Sequence, residues 1–564
     1  MFELYELIQV VIFFVLLIVV SPFLGSFIAN VANGHKNFLS PVLTKIEQII
    51  YKFCRINPAE EMDWKVYTLS LLFFNLFGMI VLVLLQLLQS YLPLNPMNLP
   101  NVELTLAINT AISFVTNTNW QSYGGETTLS YFVQMTGLAV QNFLSAASGI
   151  AVMFVIARAI KIKKGNGLGN FWIDLVRITL YVLLPLSILL AIVLVSQGVV
   201  QTFSSYTEVT TLEGYKQMIP MGPAASQIAI KQLGTNGGGF FNTNSSFPFE
   251  NPTPFSNFLE MLSIILIPGA LVFAFGKIVG SKRQAWMIFG VMLFLFVISF
   301  ACSAAAEYSH NNIFQTSGIM EGKETRFGIL NSVLWSSATT AASNGSINSM
   351  HSSLSPVAGM FALLNIQLGE IIFGGVGSGL YGMLLFIFLT VFIVGLMIGR
   401  TPEYLGKKIE AYEIKWTIIA VLLPGIVILL FTAIALSVNA GLSSIANKGP
   451  HGFSEILYAF SSAAGNNGSA FAGLNTNTFF YNLMISLGIL IGRYGVIIPV
   501  MAIAGSLVKK NITPVSQGTL HTDSLLFGIL LTGVILIVGA LTFFPSLAVG
   551  PILEHFLMQR GIVF

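Results

Sequence analysis

What most limits how this chain can fold is the recurrence of long apolar stretches separated by polar connections. Ten of them, at about residues 7–27, 66–92, 130–157, 172–197, 255–276, 284–305, 379–399, 415–439, 478–505 and 524–546, come near the roughly 20 residues a helix needs to cross hydrocarbon. No water reaches the backbone there, so each run must bond internally as a helix. Composition agrees: 9% of the 564 residues are charged, against about 25% in a soluble domain. The length therefore describes one all-α membrane bundle and not a string of soluble domains. The ninth run, interrupted by Gly492 and Arg493, is the least regular. The first has Glu3 and Glu6 where a cleaved leader would carry basic residues, so it reads as a retained span.

Basic residues orient the bundle. One alternating set of connections holds Lys36, Lys45, Lys52, Arg55 and Lys65, then Arg158, Lys161, Lys163 and Lys164, then Lys277, Lys282 and Arg283. The same set continues with Arg400, Lys407, Lys408 and Lys415, and ends with Lys509 and Lys510. The other side holds only Lys216, Lys231, Lys323, Arg326, Lys448 and Arg560, with Arg177 and Arg493 inside spans. This asymmetry places the first set in the cytoplasm and both termini outside. Cys54 and Cys302, the only cysteines, are far apart and give no disulfide framework, zinc site or redox pair. The six histidines show no metal-ligand spacing.

Four segments on the outer side fit neither loop nor span. Aligned on a shared Asn, they read Thr116-Asn117-Thr118-Asn119-Trp120-Gln121, Leu233-Gly234-Thr235-Asn236-Gly237-Gly238, Ala341-Ala342-Ser343-Asn344-Gly345-Ser346 and Ala464-Gly465-Asn466-Asn467-Gly468-Ser469. Each follows a short, mildly apolar helical stretch and lies between two spans. One such segment would be an ordinary Asn-Gly turn; four in register, each flanked by spans, read as dips into the bundle. Non-helical backbone at membrane depth survives only where protein buries it or water lines it. Glycine permits φ > 0, so successive carbonyls can turn toward one axis and replace the water shell of a monovalent cation.

These strings carry a resemblance over essentially the whole chain. Gly234-Thr235-Asn236-Gly237-Gly238-Gly239-Phe240-Phe241-Asn242, the first-repeat string above, the run from Gly369 to Gly382 and the run from Gly399 to Lys408 are similar to the family of potassium-binding (A) subunits of the bacterial Kdp potassium-transporting P-type ATPase. The resemblance implies a potassium-transporter-superfamily fold with four helix–pore-loop–helix repeats. It implies potassium as the transported ion, taken from outside and passed sideways through an intramembrane tunnel to a catalytic P-type ATPase subunit. A third accessory subunit and a small single-span peptide complete the assembly, in the lipid of the bacterial inner membrane. No nucleic acid is involved. The sequence agrees: it has no Gly-x-x-x-x-Gly-Lys-[Ser/Thr] string, no Asp-Lys-Thr-Gly string, and no cytoplasmic connection longer than about residues 28–65. The expected role is non-catalytic. The competing readings are a self-sufficient channel or ion-coupled carrier, and a structural scaffold.

Carried over position by position, the filter residues are Thr118, Asn119 and Gln121; Asn236, Gly237 and Gly238; Ser343, Asn344 and Gly345; and Asn466, Asn467 and Gly468. Asn344 departs from a familiar family version, which has Cys there. Repeat limits are expected at 66–164, 165–283, 284–408 and 409–515, with an added span in 1–65 and another in 516–564. Gly374, Gly375, Gly377 and Gly379 crowd the place where the second helix of repeat three should run. Glycine costs about 1 kcal/mol per interior helix position, so a broken helix crossing the ion path is expected, with close small-residue packing as the alternative. Glu370 beside it and Arg493 in the ninth span are gate or tunnel candidates, or simply a structural pair. Asp174 and Arg177, three apart, suit a local pair, and Glu208, Glu213, Glu307, Glu321 and Glu324 are expected as solvated outer-loop charges.

Overall fold

A computed structural model describes residues 4–311, 313, 315–369, 371–514 and 520–563. Ten of its helices are long and apolar enough to cross a membrane. In chain order the elements are α1 (Leu4–Ala32), α2 (Ser40–Cys54), α3 (Trp64–Leu87), α4 (Leu104–Val115), α5 (Val133–Lys161) and α6 (Phe171–Ser196). Then come α7 (Ala224–Leu233), α8 (Pro254–Val279), α9 (Lys282–Glu307), α10 (Gly328–Ala341), α11 (Pro356–Gln367) and α12 (Ser378–Met397). The last are α13 (Ala411–Ser437), α14 (Gly449–Gly465), α15 (Phe479–Leu507) and α16 (Leu525–Leu547).

Local chemistry sets many of these ends. Asp63 accepts from the amides of Lys65 and Val66 at 2.9 and 2.8 Å to start α3. Thr253 and Ser256 form a reciprocal capping box with Pro254 in the first turn of α8, and Gly280 ends that helix in the left-handed conformation. Three small two-stranded hairpins, β1–β2 (Thr207–Thr210 with Lys216–Ile219), β3–β4 (His310–Asn311 with Thr316–Ser317) and β5–β6 (Glu403–Tyr404 with Lys407–Lys408), decorate the connections.

The plan is a span, a short helix and a span, four times: α3–α4–α5, α6–α7–α8, α9–α10–α11/α12 and α13–α14–α15. The four short helices have 12, 10, 14 and 17 residues, which at 1.5 Å per residue cannot cross the bilayer. Spans α5 and α8 form the centre: 83% of each apolar window is buried, against 22% in α1 and 28% in α3, which turn much of their surface to lipid. Helix α1 packs along α8, where a Cβ on Gly25 would strike the Ala270 carbonyl. That close approach is the kind small residues permit between spans.

Three sequence expectations change. The ninth run is one unbroken helix, α15: Gly492 lets it lie against the Ala464 backbone, and Arg493 is held within the helix at 6% exposure. Asp174 and Arg177 do not pair with each other. Asp174 takes Arg158 at 2.6 and 2.8 Å and the Tyr67 hydroxyl at 2.9 Å, while Arg177 takes Glu47 on α2 at 2.9 Å. These bonds staple helices distant in sequence, a use of charge that local spacing cannot reveal. Glu307 is not a solvated outer-loop charge: it is buried, paired with Lys323 at 2.8 Å and bound by the Ser355 amide at 2.6 Å.

Candidate functional site: four strands on one axis

Each short helix ends in the same way. After Thr116, Gly234, Ala342 and Gly465, the next residue turns left-handed: Asn117 at φ 69°, Thr235 at 48°, Ser343 at 54° and Asn466 at 59°. The residue after that donates its amide back five positions. Thr118 reaches Ser113, Asn236 reaches Lys231, Asn344 reaches Thr339 and Asn467 reaches Ser462, at 3.0, 2.8, 3.1 and 2.9 Å. This is the Schellman pattern, and it fixes the register of the strands. Thr118 therefore matches Asn236, Asn344 and Asn467, and Asn119 matches Gly237, Gly345 and Gly468. The alignment on a shared Asn is off by one residue in repeat one. Backbone capping sets register there, and Asn119 adopts the left-handed conformation (φ 55°) by virtue of its short polar side chain.

The strands meet at Gly237. A Cβ placed there would lie 2.5 Å from the Thr118 carbonyl oxygen and 2.9 Å from those of Asn344 and Asn467. Three repeats thus aim a carbonyl at one point beside the backbone of the fourth. Gly345 (φ 85°) and Gly468 (φ 102°) crowd the same place, where an added Cβ would strike the carbonyls of Asn467 and Thr118 respectively. The four short helices also direct their C-terminal, partly negative ends there.

Polar side chains of the strands tie neighbours together. Asn117 donates to the carbonyls of Gly234 and Thr235 at 3.2 and 3.0 Å. Ser343 donates to those of Gly465 and Asn466 at 3.1 and 3.0 Å. Asn466 reaches the Thr118 hydroxyl at 3.0 Å, Asn467 the Thr339 carbonyl at 2.9 Å, and Asn344 the Asn236 carbonyl at 3.1 Å. Gln121 braces strand two: its Oε1 accepts from the Gly239 amide at 2.9 Å and its Nε2 donates to the Gly239 carbonyl at 3.2 Å, beside Gly238, where an added Cβ would meet its Oε1 at 2.9 Å. Asn119 donates to Asn142 of α5 at 2.5 Å. Asn117 and Thr235 were absent from the sequence-derived site, although a polar residue just past each helix end was the available signal.

Repeat three has the broken helix. α11 stops at Gln367 and α12 starts at Ser378, and the connection passes directly behind the strands. The Val376 amide donates to the Thr235 hydroxyl at 2.9 Å. A Cβ on Gly375 would meet the Ser343 Cβ at 3.2 Å, one on Gly377 (φ 92°) would strike the Gly149 carbonyl of α5, and one on Gly379 would strike the Gly374 backbone. These glycines are required by close approach, so the break and the small-residue packing are one feature. Glu370 falls outside the described residues. Beside the connection lies a cavity of about 100 Å³ that touches Gly369, Ser378, Tyr381, Asn466 and Arg493 and extends away from the axis to Gly539 and Thr542 of α16. Arg493 has no carboxylate within 4.0 Å among the described residues. Among those residues no cluster of His, Cys, Asp or Glu could hold a metal ion.

Ten spans, four re-entrant segments and one shared carbonyl point define a polytopic pore-loop membrane protein. The overall fold is similar to the crystal structure of the potassium transporter TrkH from Vibrio parahaemolyticus over 88% of this chain and 97% of that one, with a TM-score of 0.52 at 13% identity. The particular family follows from the sequence: the chain belongs to the potassium-transporting ATPase A subunit family, whose model matches residues 11–556. It is 57% identical over 561 residues to the potassium-transporting ATPase potassium-binding subunit of Leptospira interrogans, spanning 99% of this chain and 100% of that protein. To the protein of that name from Pseudomonas aeruginosa it is 56% identical over 556 residues, spanning 98% and 99%.

Proposed function

We propose that this chain is the non-catalytic, potassium-binding subunit of an ATP-driven potassium pump. One observation carries the reading: the carbonyls of Thr118, Asn344 and Asn467 close on a single point at Gly237. Oxygen dipoles turned toward one point substitute for the hydration shell of an alkali cation. Thr118, Asn236, Gly237, Ser343, Asn344, Gly345, Asn466, Asn467 and Gly468 form the ion site, with Asn119, Gln121 and Gly238 at its outer edge. The basic connections at the opposite end support a site that opens to the outer side of the inner membrane.

Straight passage inward meets residues 371–377 of the connection between α11 and α12. The cavity that leads off the axis toward α16 gives the ion its lateral exit, toward a P-type ATPase partner that supplies the hydrolysis. A third subunit and a small single-span peptide complete the complex. Arg493, which has no carboxylate within 4.0 Å among the described residues, lines this route and places a positive charge beside it. The test is reconstitution. The complex in liposomes should take up potassium only with ATP, and the chain alone should give no flux. Flux through the chain alone would establish a channel or carrier in its place.

A further inference from the structure

Behind strand two lies a charged cluster at a helix position where the other three repeats carry no charge. Lys231 on α7 is 1% exposed, and Glu250 and Glu260 are 0% exposed. The Lys231 ammonium pairs with Glu250 and donates to Asn244 Oδ1 at 2.8 Å and Ser245 Oγ at 3.2 Å. Glu260 Oε2 accepts from Ser245 Oγ at 3.1 Å and from Gln232 Nε2 at 2.9 Å. In the register fixed by the helix caps, Lys231 corresponds to Ser113, Thr339 and Ser462, and Gln232 to Phe114, Thr340 and Ala463. Repeat two alone places an ammonium and an amide there. Buried ion pairs seldom add stability over an apolar core, so this one calls for another use.

The cluster is wired to the carbonyl point. Gln232 Oε1 accepts from Ser346 Oγ at 2.9 Å and lies 3.5 Å from Asn344 Nδ2, which also reaches the Lys231 carbonyl at 3.4 Å. Ser346 also holds Asn344: its amide donates to Asn344 Oδ1 at 2.9 Å, and its hydroxyl lies against the same oxygen. Asn344 in turn donates to the Asn236 carbonyl. Its structural counterpart Asn467 instead reaches back to the Thr339 carbonyl, and the Asn236 side chain turns to Asn117 at 2.6 Å. Among the four equivalent positions, only Asn344 ties one strand's carbonyl to the next strand at this level.

We propose that Gln232, anchored by Glu260, is a specificity-determining positioning residue of the potassium site. It orients the Asn344 amide, the amide fixes the direction of the Asn236 carbonyl, and the ring keeps a size that favours potassium over rubidium. The inference rests on the ion-binding reading above. It is a hydrogen-bond relay and involves no covalent step.

The test is a double-mutant cycle in the assembled pump, reading ATP hydrolysis against potassium and against rubidium. Q232L keeps the bulk of the side chain and removes both of its polar ends. It should raise the potassium concentration for half-maximal activity by about tenfold, the cost of taking a buried acceptor from the Ser346 hydroxyl and the Asn344 amide, leave the maximal rate unchanged, and bring the two ions closer together in apparent affinity. In an N344C background no Asn344 amide remains for Gln232 to orient, so adding Q232L should change the half-maximal concentration by less than about twofold. S346A, which retains all backbone bonds, carries the same prediction in milder form and stands in if Q232L fails to assemble. An unchanged potassium dependence in these variants overturns the relay, as does an equal loss from Q232L in the wild-type and N344C backgrounds. G237D, run alongside, separates the two readings: if it also leaves potassium dependence unchanged, the ion site itself is misplaced.

Discussion

At the scale of single residues, the site depends on glycines that admit no Cβ. Gly345 combines a φ of 85° with a Cβ position that would strike the Asn467 carbonyl. G345A should add about 1–2 kcal/mol of left-handed strain on top of the clash and raise the potassium concentration for half-maximal ATPase activity by at least tenfold. G290A, where a Cβ meets nothing within 4 Å, should leave that curve in place. A second prediction concerns His351, outside the spans, bonded through Nδ1 to the Tyr458 hydroxyl at 2.9 Å. Tyr458 bonds Ser469 at 2.8 Å, next to strand four. Burial pushes the His351 imidazole down to about 4. The folded state therefore holds it neutral while the unfolded state takes a proton near pH 6.5. Its contribution is complete above about pH 6.5 and is lost at about 1.4 kcal/mol per unit as pH falls toward 4. The melting temperature of wild type relative to H351Q should fall across that window; parallel melting profiles would contradict the assignment. At this scale the sequence was legible in composition but not in register. The four shared asparagines align by identity one residue out of register in repeat one, whereas the cap geometry that decides which carbonyl faces the axis leaves only a weak trace in side chains.

Among the elements, the broken helix of repeat three is the most legible feature, because a dense run of glycine is costly inside a helix and has to be explained by contact. Its docking partner was not legible. The Thr235 hydroxyl and the Val376 amide are 141 residues apart in sequence and 2.9 Å apart in space. T235V should leave that amide buried without an acceptor, a cost of about 1–3 kcal/mol. It should loosen the connection, measured as faster thiol labelling of S378C and as potassium leak through the complex without ATP; unchanged labelling would mean the connection holds by glycine packing alone. The continuity of α15 was illegible for the opposite reason. Gly492 has the look of a break, yet its missing Cβ serves helix contact with Ala464.

For the whole molecule, one chain supplies all four quadrants of its axis, so the quadrants are free to differ. The Lys231 cluster and the broken α11/α12 helix each occur in one repeat only, and a ring of identical subunits could carry neither singly. Span number and the four dips follow from hydropathy and repetition, which act over many residues and survive in sequence. The lateral cavity and the long-range pairs Arg158–Asp174 and Arg177–Glu47 depend on helix rotation, which the sequence does not spell out. Blocking the cavity with T542W should abolish potassium-stimulated hydrolysis while rubidium binding to the complex persists. Loss of both would place Thr542 in fold maintenance.

The most direct measurement of the central claim is potassium-stimulated ATP hydrolysis by the assembled complex, titrated for wild type and G237D. An aspartate there would drive its Cβ into the point where the Thr118, Asn344 and Asn467 carbonyls converge and add a charge among them. The account predicts a complex that still assembles but needs far more potassium, by a hundredfold or so if both strain and distorted carbonyls contribute about 1.4 kcal/mol each. A G237D complex with wild-type potassium dependence would contradict it, and would move the ion site away from the axis of the four strands.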